Sequence, residues 1–234
     1  MNGTRHDATL DVAATLGLAL FSFVAALGYG RVFSDWTFVG DALALILVGH
    51  GVSLIGRRLH LNGLLTVVVQ VLALVVVWSF LFYPDTMAAI VPTSSTWDLA
   101  HADITLVREQ FGDAVAPVAY VGGWSALAGI GTALVVVLSD AFAFRANGSG
   151  EALVPGGVLF VFIAAIGIDE HRVAYSLLLV AAGVLAIATL RARAARPPRT
   201  VLGVDRHPLT TTLPAAAFVG VAVVVGAWAI GPNL

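Results

Sequence analysis

The sequence contains no cysteine and no lysine, and each absence excludes a kind of chemistry in this chain. Without cysteine there are no disulfide bonds, no thiolate metal ligands and no cysteine nucleophile. Without lysine there is neither a Walker-type phosphate-binding loop nor an amine that could form a Schiff base with retinal or pyridoxal phosphate. The basic residues are therefore all arginine, twelve in number.

Charged residues are also scarce. They make up 11% of the 234 residues, whereas hydrophobic residues make up 59%. Soluble domains carry about 25% charged residues, and the apolar runs here are long enough to cross a bilayer. The composition therefore predicts an integral membrane protein with the lipid bilayer as its partner. No basic face extends over a domain, which argues against nucleic acid as a partner.

The apolar runs predict an all-α integral membrane protein with about seven transmembrane helices, which form one polytopic domain over residues 1–234. A polar tail, Met1–Asp11, precedes the first span, and a polar interval at 84–118 separates three spans from four. The predicted spans are 12–29, 36–55, 64–83, 120–144, 152–168, 173–190 and 213–230.

The arginines predict which side of the membrane each loop occupies, because cytoplasmic loops carry an excess of basic residues. With a cytoplasmic N-terminus, nine of the twelve arginines lie inside, and Arg31, Arg108 and Arg172 lie outside. We therefore expect a multi-pass protein of the bacterial inner membrane, with its N-terminus cytoplasmic and its C-terminus extracytoplasmic. The loop Arg191–Thr212 carries five of the inside arginines and is expected to attract anionic headgroups.

The polar interval 84–118 contains a helical pattern in which apolar residues recur at spacings of 3 and 4. Ser95 offers an N-terminal cap and Gly112 a stop. A helix of about 15 residues spans only ~22 Å, so we expect an extracytoplasmic amphipathic helix at the membrane surface. It is either a surface helix packed on the spans or a docking surface for another domain or protein. The apolar face comprises Trp97, Ala100, Ile104, Val107 and Phe111, and the residues of this face predicted to dock are Trp97, Ile104, Val107 and Phe111.

Four polar residues, Asp41, His50, Gln70 and Asp140, lie within predicted spans and are candidate functional residues. Asp41 and His50 are nine residues apart, about 900° of helix, so they point to opposite faces. His50, Gln70 and Asp140 lie in the cytoplasmic third of their spans and could meet as a buried cluster. Such a cluster either specifies helix packing or forms part of a proton path.

No catalytic, metal or cofactor site is predicted. Ser125 has no histidine or lysine partner at comparable depth, which argues against a serine hydrolase and an intramembrane enzyme in general. His101, His171 and His207 lie in loops on two sides of the membrane, so they do not assemble into a metal site.

The order and spacing of several segments resemble the N-terminal membrane region of bacterial transglutaminase-like membrane proteins of the TgpA type. The resemblance covers nearly the whole chain, although no single motif is specific. It rests on Trp78 with Phe82-Tyr83-Pro84, on Pro92-Thr93 and Thr96, on Ala116-Pro117-Val118, on Asp140 followed by Arg145, and on Leu153-Val154-Pro155. In that family an exported papain-fold domain with a Cys-His-Asp triad follows the membrane region, and none of those catalytic residues maps onto this sequence.

The resemblance implies a non-catalytic membrane anchor or scaffold of the cell envelope. It would present an extracytoplasmic transglutaminase-like, protease-like domain in cis or in trans, and that domain is expected to lie beyond Leu234 or in another chain. The alternative is a small polytopic transporter or channel that uses the intramembrane residues Asp41, His50 and Asp140. Broken half-helices and repeated halves would favour a transporter, and the sequence shows neither.

Overall fold

A computed structural model describes residues 2–195, with side chains described from Thr9 onwards. This part of the chain is helical apart from its connections and a small hairpin. The hairpin pairs two strands of two residues each, Met87–Ala88 and Val91–Pro92. The helices are α1 Asn2–Leu27, α2 Phe38–Arg58, α3 Gly63–Phe82, α4 Ser94–Gln110, α5 Gly123–Phe144, α6 Val154–Ile166 and α7 Arg172–Ala194.

Five helices, α1, α2, α3, α5 and α7, are long and apolar enough to cross a membrane. They correspond to five of the predicted spans, and the bounds of α2, α3 and α5 agree within about three residues, whereas α1 begins earlier and α7 ends later than predicted. The all-α, multi-pass architecture predicted from composition is therefore confirmed. The predicted span 213–230 lies outside the described residues, as does most of the predicted loop Arg191–Thr212.

The helix observed at the predicted span 152–168 is shorter than that prediction. Helix α6 has 13 residues and is about 20 Å long, less than the roughly 30 Å of a bilayer core. It ends because Gly167 has an extended backbone and Ile168 turns back to pair with the short 3-10 helix Gly28–Arg31 that follows α1. The Ile168 N–H donates to the Arg31 carbonyl (2.9 Å), and the Arg31 Nε donates to the Ile168 carbonyl (2.6 Å).

The polar segment Met1–Asp11 is helical from Asn2 onwards, because α1 begins there, and its cytoplasmic location stays a prediction. The prediction that a loop begins at Arg191 is wrong, because α7 continues to Ala194. In both cases polar residues extend a helix past the end of its apolar run. Asp11 and Arg193, which lie in these extensions, form an ion pair over 2.7 Å, and the hydropathy pattern does not report such a pairing.

The helices form one bundle, in which α1 packs on α7 and α2 packs between α3 and α5. Close approach of α1 and α7 depends on Gly17, where a Cβ would lie 2.5 Å from Thr189 Oγ1 and 3.3 Å from Ala186 Cα. Small residues at such crossings let membrane helices pack tightly. The core between α2 and α5 contains the fully buried side chains Leu45 and Val136.

Antiparallel connections give the bundle two ends. At one, which we call the Arg57 end, α2 and α5 finish and α3 begins. At the other, the α4 end, α3 finishes, α5 begins, and α4 lies against α5. An aromatic cluster closes the α4 end, with the Phe33 and Tyr120 rings 4.9 Å apart at their centroids.

Candidate functional site

The candidate site begins as two polar faces on neighbouring helices. On α2, His50, Ser53 and Arg57 follow one another at spacings of 3 and 4, which places them on one face. On α1, Asp11 and Thr15 are four residues apart and likewise share a face. Because α1 packs on α2, these polar faces meet inside the bundle at the Arg57 end.

Asp140 of α5 is fully buried and lies within reach of four polar groups. The Ser53 hydroxyl donates to its Oδ2, and Arg57 Nη1 donates to its Oδ1 over 3.2 Å. The His50 Nδ1 lies 3.6 Å from Oδ1, and the Arg145 Nη2 lies 3.9 Å from Oδ2. A buried carboxylate requires compensating partners of this kind, and Asp140 obtains them from α2 and from the residue after α5.

Arg57 connects this carboxylate to α1. Its Nη1 donates to Ser53 Oγ (2.8 Å), its Nη2 to Thr15 Oγ1 (2.6 Å) and its Nε to Asp11 Oδ2 (3.4 Å). The guanidinium carbon lies 3.6 Å from the centroid of the Phe144 ring, a cation–π geometry. Every nitrogen of Arg57 therefore has a partner.

Asp11 brings in a fourth helix, because the Arg193 Nε of α7 donates to its Oδ1 over 2.7 Å. The network thus joins α1, α2, α5 and α7 at one end of the bundle. We call it the Arg57 network, and its members are Asp11, Thr15, His50, Ser53, Arg57, Asp140, Arg145 and Arg193.

The structure brings two of the predicted polar residues into contact and places the third beside them. His50 contacts Asp140, and its other ring nitrogen, Nε2, lies 3.3 Å from the Ser22 hydroxyl. Gln70 is fully buried, but its Nε2 donates to the Gly49 carbonyl (3.2 Å). The Gln70 amide therefore joins α3 to the backbone of α2 next to His50.

Asp41 lies apart from this cluster, at the α4 end, as its nine-residue separation from His50 predicts. The Tyr120 hydroxyl donates to its Oδ2 over 3.1 Å. Burial and the neighbouring Asp41 raise the pKa of Tyr120, which keeps this donor protonated. Between Asp41 and the Arg57 network, α2 contributes the buried apolar side chains Leu45 and Ile46.

Helix α4 is fastened at its start by three threonines rather than by Ser95, so the predicted cap is wrong. Thr93 precedes the helix, and its N–H donates to Thr96 Oγ1 over 3.0 Å. The Thr93 hydroxyl donates to the Thr86 carbonyl over 2.6 Å. These bonds tie the start of α4 to the short segment that follows α3.

The apolar face predicted for α4 is buried in its middle and half-exposed at its ends. Ala100 and Val107 are buried, and Ile104 is half-buried. Trp97 is 48% exposed and stacks on Trp78 of α3, while Phe111 is 44% exposed and stacks on Trp124 of α5. The predicted docking residues therefore lie along this face, at its buried middle and at its half-exposed ends. They are Trp97, Ile104, Val107 and Phe111.

A second polar contact holds α4 against the bundle. The Tyr83 hydroxyl donates to Asp103 Oδ2 over 3.3 Å. Burial and the Asp103 carboxylate raise the pKa of Tyr83, so the phenol remains the donor. Gly123, the first residue of α5, lets the Asp103 carbonyl approach so closely that a Cβ at position 123 would overlap it.

The prediction missed Asp11, Ser53, Arg57 and Arg193 because hydropathy placed three of them outside the spans. A detectable signal was present: Ser53 and Arg57 continue the face of α2 that carries His50. The buried Arg31 was also missed. Its contact with Ile168 joins residues 137 positions apart, and no local pattern reports such a contact.

Together the fold and the site define an all-α, multi-pass membrane protein with a buried ion-pair network at one end. No family model, no curated protein and no solved structure matches the chain.

Proposed function

We propose that the chain is a non-catalytic membrane scaffold of the bacterial cell envelope. In this proposal the Arg57 end is cytoplasmic and α4 lies at the extracytoplasmic surface. The described arginines support that orientation, because Arg57, Arg58, Arg145, Arg191 and Arg193 lie at the Arg57 end, whereas Arg31, Arg108 and Arg172 lie at the other. Cytoplasmic loops carry the basic excess.

The observation that carries the proposal is the pairing of the two carboxylates in the Arg57 network; two nitrogens of the network, His50 Nδ1 and Arg145 Nη1, are buried without a hydrogen-bond partner. Asp140 is fully buried and already receives bonds from Ser53 and Arg57, while Asp11 receives bonds from Arg57 and Arg193. A group that binds or relays a substrate needs a free coordination position, and these carboxylates use theirs to join four helices. Such an arrangement favours a rigid support over a catalytic site.

The supported element in this proposal is α4, which would present a surface to a transglutaminase-like, papain-fold domain in cis or in trans. The face of α4 away from the bundle carries the exposed residues Asp98, Thr105 and Glu109. These lie within about 40° of one another on the helix, so they form one polar strip. The resemblance to TgpA-type membrane regions supplies the class of partner.

Site-specific photocrosslinking tests the proposal in cells. A photoreactive amino acid at Glu109 should yield an adduct with a protein or domain that carries a Cys-His-Asp triad. The same amino acid at Val161, which is exposed on α6, should yield no such adduct. A cysteine introduced at Glu109 should also react with a membrane-impermeant thiol reagent in intact cells. Protection of that cysteine, with labelling of a cysteine at Arg58, would overturn the orientation.

The alternative function, a transporter or channel, is favoured by one observation. His50 and Asp140 lie 3.6 Å apart and buried inside the bundle, and ionisable residues within membranes often mark ion or proton paths. Asp41 would have to act separately, because it contacts Tyr120 at the other end. Liposomes with a pH-sensitive dye inside decide between the functions: a proton flux that Asp140→Asn abolishes supports the transporter and contradicts the scaffold.

A further inference from the structure

An apolar groove of about 530 Å³ lies between α3 and α5, with α4 across one end of it. Its walls are one face of α3, from Val71 to Trp78, and one face of α5, from Ile130 to Val137. Trp97, His101 and Ile104 of α4 complete the lining. The volume falls within the range of about 300–1,000 Å³ that is typical of ligand-binding pockets.

The groove opens towards the bilayer. Val71 and Leu134 line it and are also exposed, and they lie in two helices that are long and apolar enough to cross a membrane. The exposed surface continues along α3 through Val68 and Leu72. In a membrane this surface is in contact with hydrocarbon chains, so the groove is continuous with the lipid-facing surface.

The lining selects a hydrocarbon ligand. The indole N–H of Trp78 is already donated to the Ala126 carbonyl (3.0 Å). The polar groups that remain in the lining are the His101 imidazole and the indole N–H of Trp97. A transmembrane helix with its side chains is about 10–12 Å across, so each turn fills roughly 500 Å³. The groove therefore has room for about one turn of a helix, whereas an extended acyl chain is narrow enough to lie along it.

One basic side chain, His101, lines the groove, and a second, Arg108, lies about two turns further along α4. His101 and Arg108 are seven residues apart, so they share the side of α4 that carries Trp97 and Ile104. Both are exposed, and Arg108 makes no ion pair or hydrogen bond with the side chains that the structure describes. Asp98 follows Trp97 by one position, and Glu109 follows Arg108 by one position. Their carboxylates therefore lie about 100° round the helix from this side.

We propose that this groove is a binding site for an anionic phospholipid. One acyl chain lies between α3 and α5, and the phosphate faces His101 and Arg108. The chemistry is that of an amphipathic ligand, with hydrocarbon against hydrocarbon and an anionic headgroup beside the basic residues. The inference does not depend on the scaffold function, because a lipid site of this kind is compatible with either proposed activity.

The experiment uses the full chain in phosphatidylcholine liposomes with a small fraction of phosphatidylglycerol that carries a diazirine in one acyl chain. After photolysis, mass spectrometry of peptides locates the adducts. Adducts are expected to concentrate on peptides containing Val71–Trp78 and Ile130–Val137. Phosphatidylcholine with the same labelled chain is expected to label these peptides less.

Arg108→Gln should lower groove labelling by phosphatidylglycerol about fivefold, since a basic residue near an anionic headgroup contributes on the order of 1 kcal/mol. The matched control is Arg172→Gln, which removes an exposed arginine at the same end but outside the groove. It should leave labelling unchanged. Ala133→Trp should fill the groove and remove the adducts on the peptides from α3 and from α5. If the Ala133→Trp protein does not fold, Arg108→Gln still tests the proposal.

Three results would overturn the proposal. Adducts spread evenly over α3 and the exposed face of α6 would indicate ordinary contact with the bilayer. Equal labelling by both phospholipids, unaffected by Arg108→Gln, would eliminate the headgroup contact. A photoreactive amino acid at Leu134 that crosslinks to a polypeptide, or to a second copy of the chain, would show that protein occupies the groove.

Discussion

Arg57 and Asp140 form an ion pair across the interface between α2 and α5, with Arg57 Nη1 lying 3.2 Å from Asp140 Oδ1. The two residues are 83 positions apart in the sequence. Because Arg57 also binds Asp11, one guanidinium links carboxylates from α1 and α5. The packing at this end of the bundle therefore depends on a charged side chain as well as on apolar contacts.

Arg57→Gln is expected to destabilise the protein strongly. Removing one partner of a buried ion pair leaves an uncompensated charge and costs about 3–5 kcal/mol, and here both Asp140 and Asp11 would lose a partner. Denaturant unfolding of the purified protein in a fixed detergent, followed by helical circular dichroism, measures this loss. Arg191→Gln is the control, because it removes the same charge from an exposed residue at the same end of the bundle. Equal stability of the two variants would contradict the structural role of the network.

The two arginines that contact Asp11 are expected to be coupled. Arg57 Nε lies 3.4 Å from Asp11 Oδ2, and Arg193 Nε lies 2.7 Å from Oδ1, so either arginine can partly compensate for loss of the other. Arg57→Gln combined with Arg193→Gln should therefore cost more than the sum of the single changes, by about 0.5–3 kcal/mol. A double-mutant cycle of unfolding free energies measures this coupling. Additive costs would show that the two contacts act independently.

The sequence predicts the helical class and the positions of five membrane helices, because apolar runs are local and long. It also predicts that His50 and Asp140 meet, since both lie at the same depth of their spans. The sequence does not predict the contacts of Asp11 and Arg193, because a hydropathy window assigns a charged residue at the end of an apolar run to a loop. Asp11 contacts both Arg57 of α2 and Arg193 of α7, and a hydropathy window does not report such long-range pairing.

The contact between Tyr83 and Asp103 is expected to make the attachment of α4 sensitive to alkaline pH. Burial, together with Asp103, raises the pKa of Tyr83 above the value of 10.0 expected when it is unfolded. Stability from this group is therefore fully present below pH ~10 and is lost as the pH rises from there towards the folded-state pKa.

Denaturant unfolding between pH 8 and 11 measures this effect. In the unaltered protein the unfolding free energy should fall above pH ~10, and Tyr83→Phe should reduce the fall, because the substituted ring has no proton to lose. Asp103→Asn should reduce the fall as well, since it removes the carboxylate that helps to raise the pKa of Tyr83. The same alkaline fall in unaltered protein and Tyr83→Phe would mean that other groups cause it.

The aromatic contacts at the ends of α4 are expected to contribute less than its buried middle. Complete burial of a large apolar side chain is worth about 1.5–3 kcal/mol, and Trp97 and Phe111 are only about half buried. Trp97→Ala with Phe111→Ala should therefore loosen α4 without releasing it, whereas Val107→Asp should release it. Amide hydrogen exchange over residues 97–111 distinguishes these outcomes. Loss of all protection in the aromatic double variant would show that the helix ends carry the attachment.

Gly123→Ala is expected to displace α4 from α5. A Cβ at position 123 would overlap the Asp103 carbonyl oxygen and lie 2.7 Å from Val107 Cγ2. Because the first obstacle is backbone, no change of rotamer relieves it, and overpacking of this kind costs about 1–3 kcal/mol. Gly112→Ala is a matched control, since a Cβ there would have no neighbour within 4 Å. Amide exchange over residues 94–110 should accelerate in Gly123→Ala and stay slow in Gly112→Ala. Slow exchange in both variants would mean that α4 does not depend on its close approach to the start of α5.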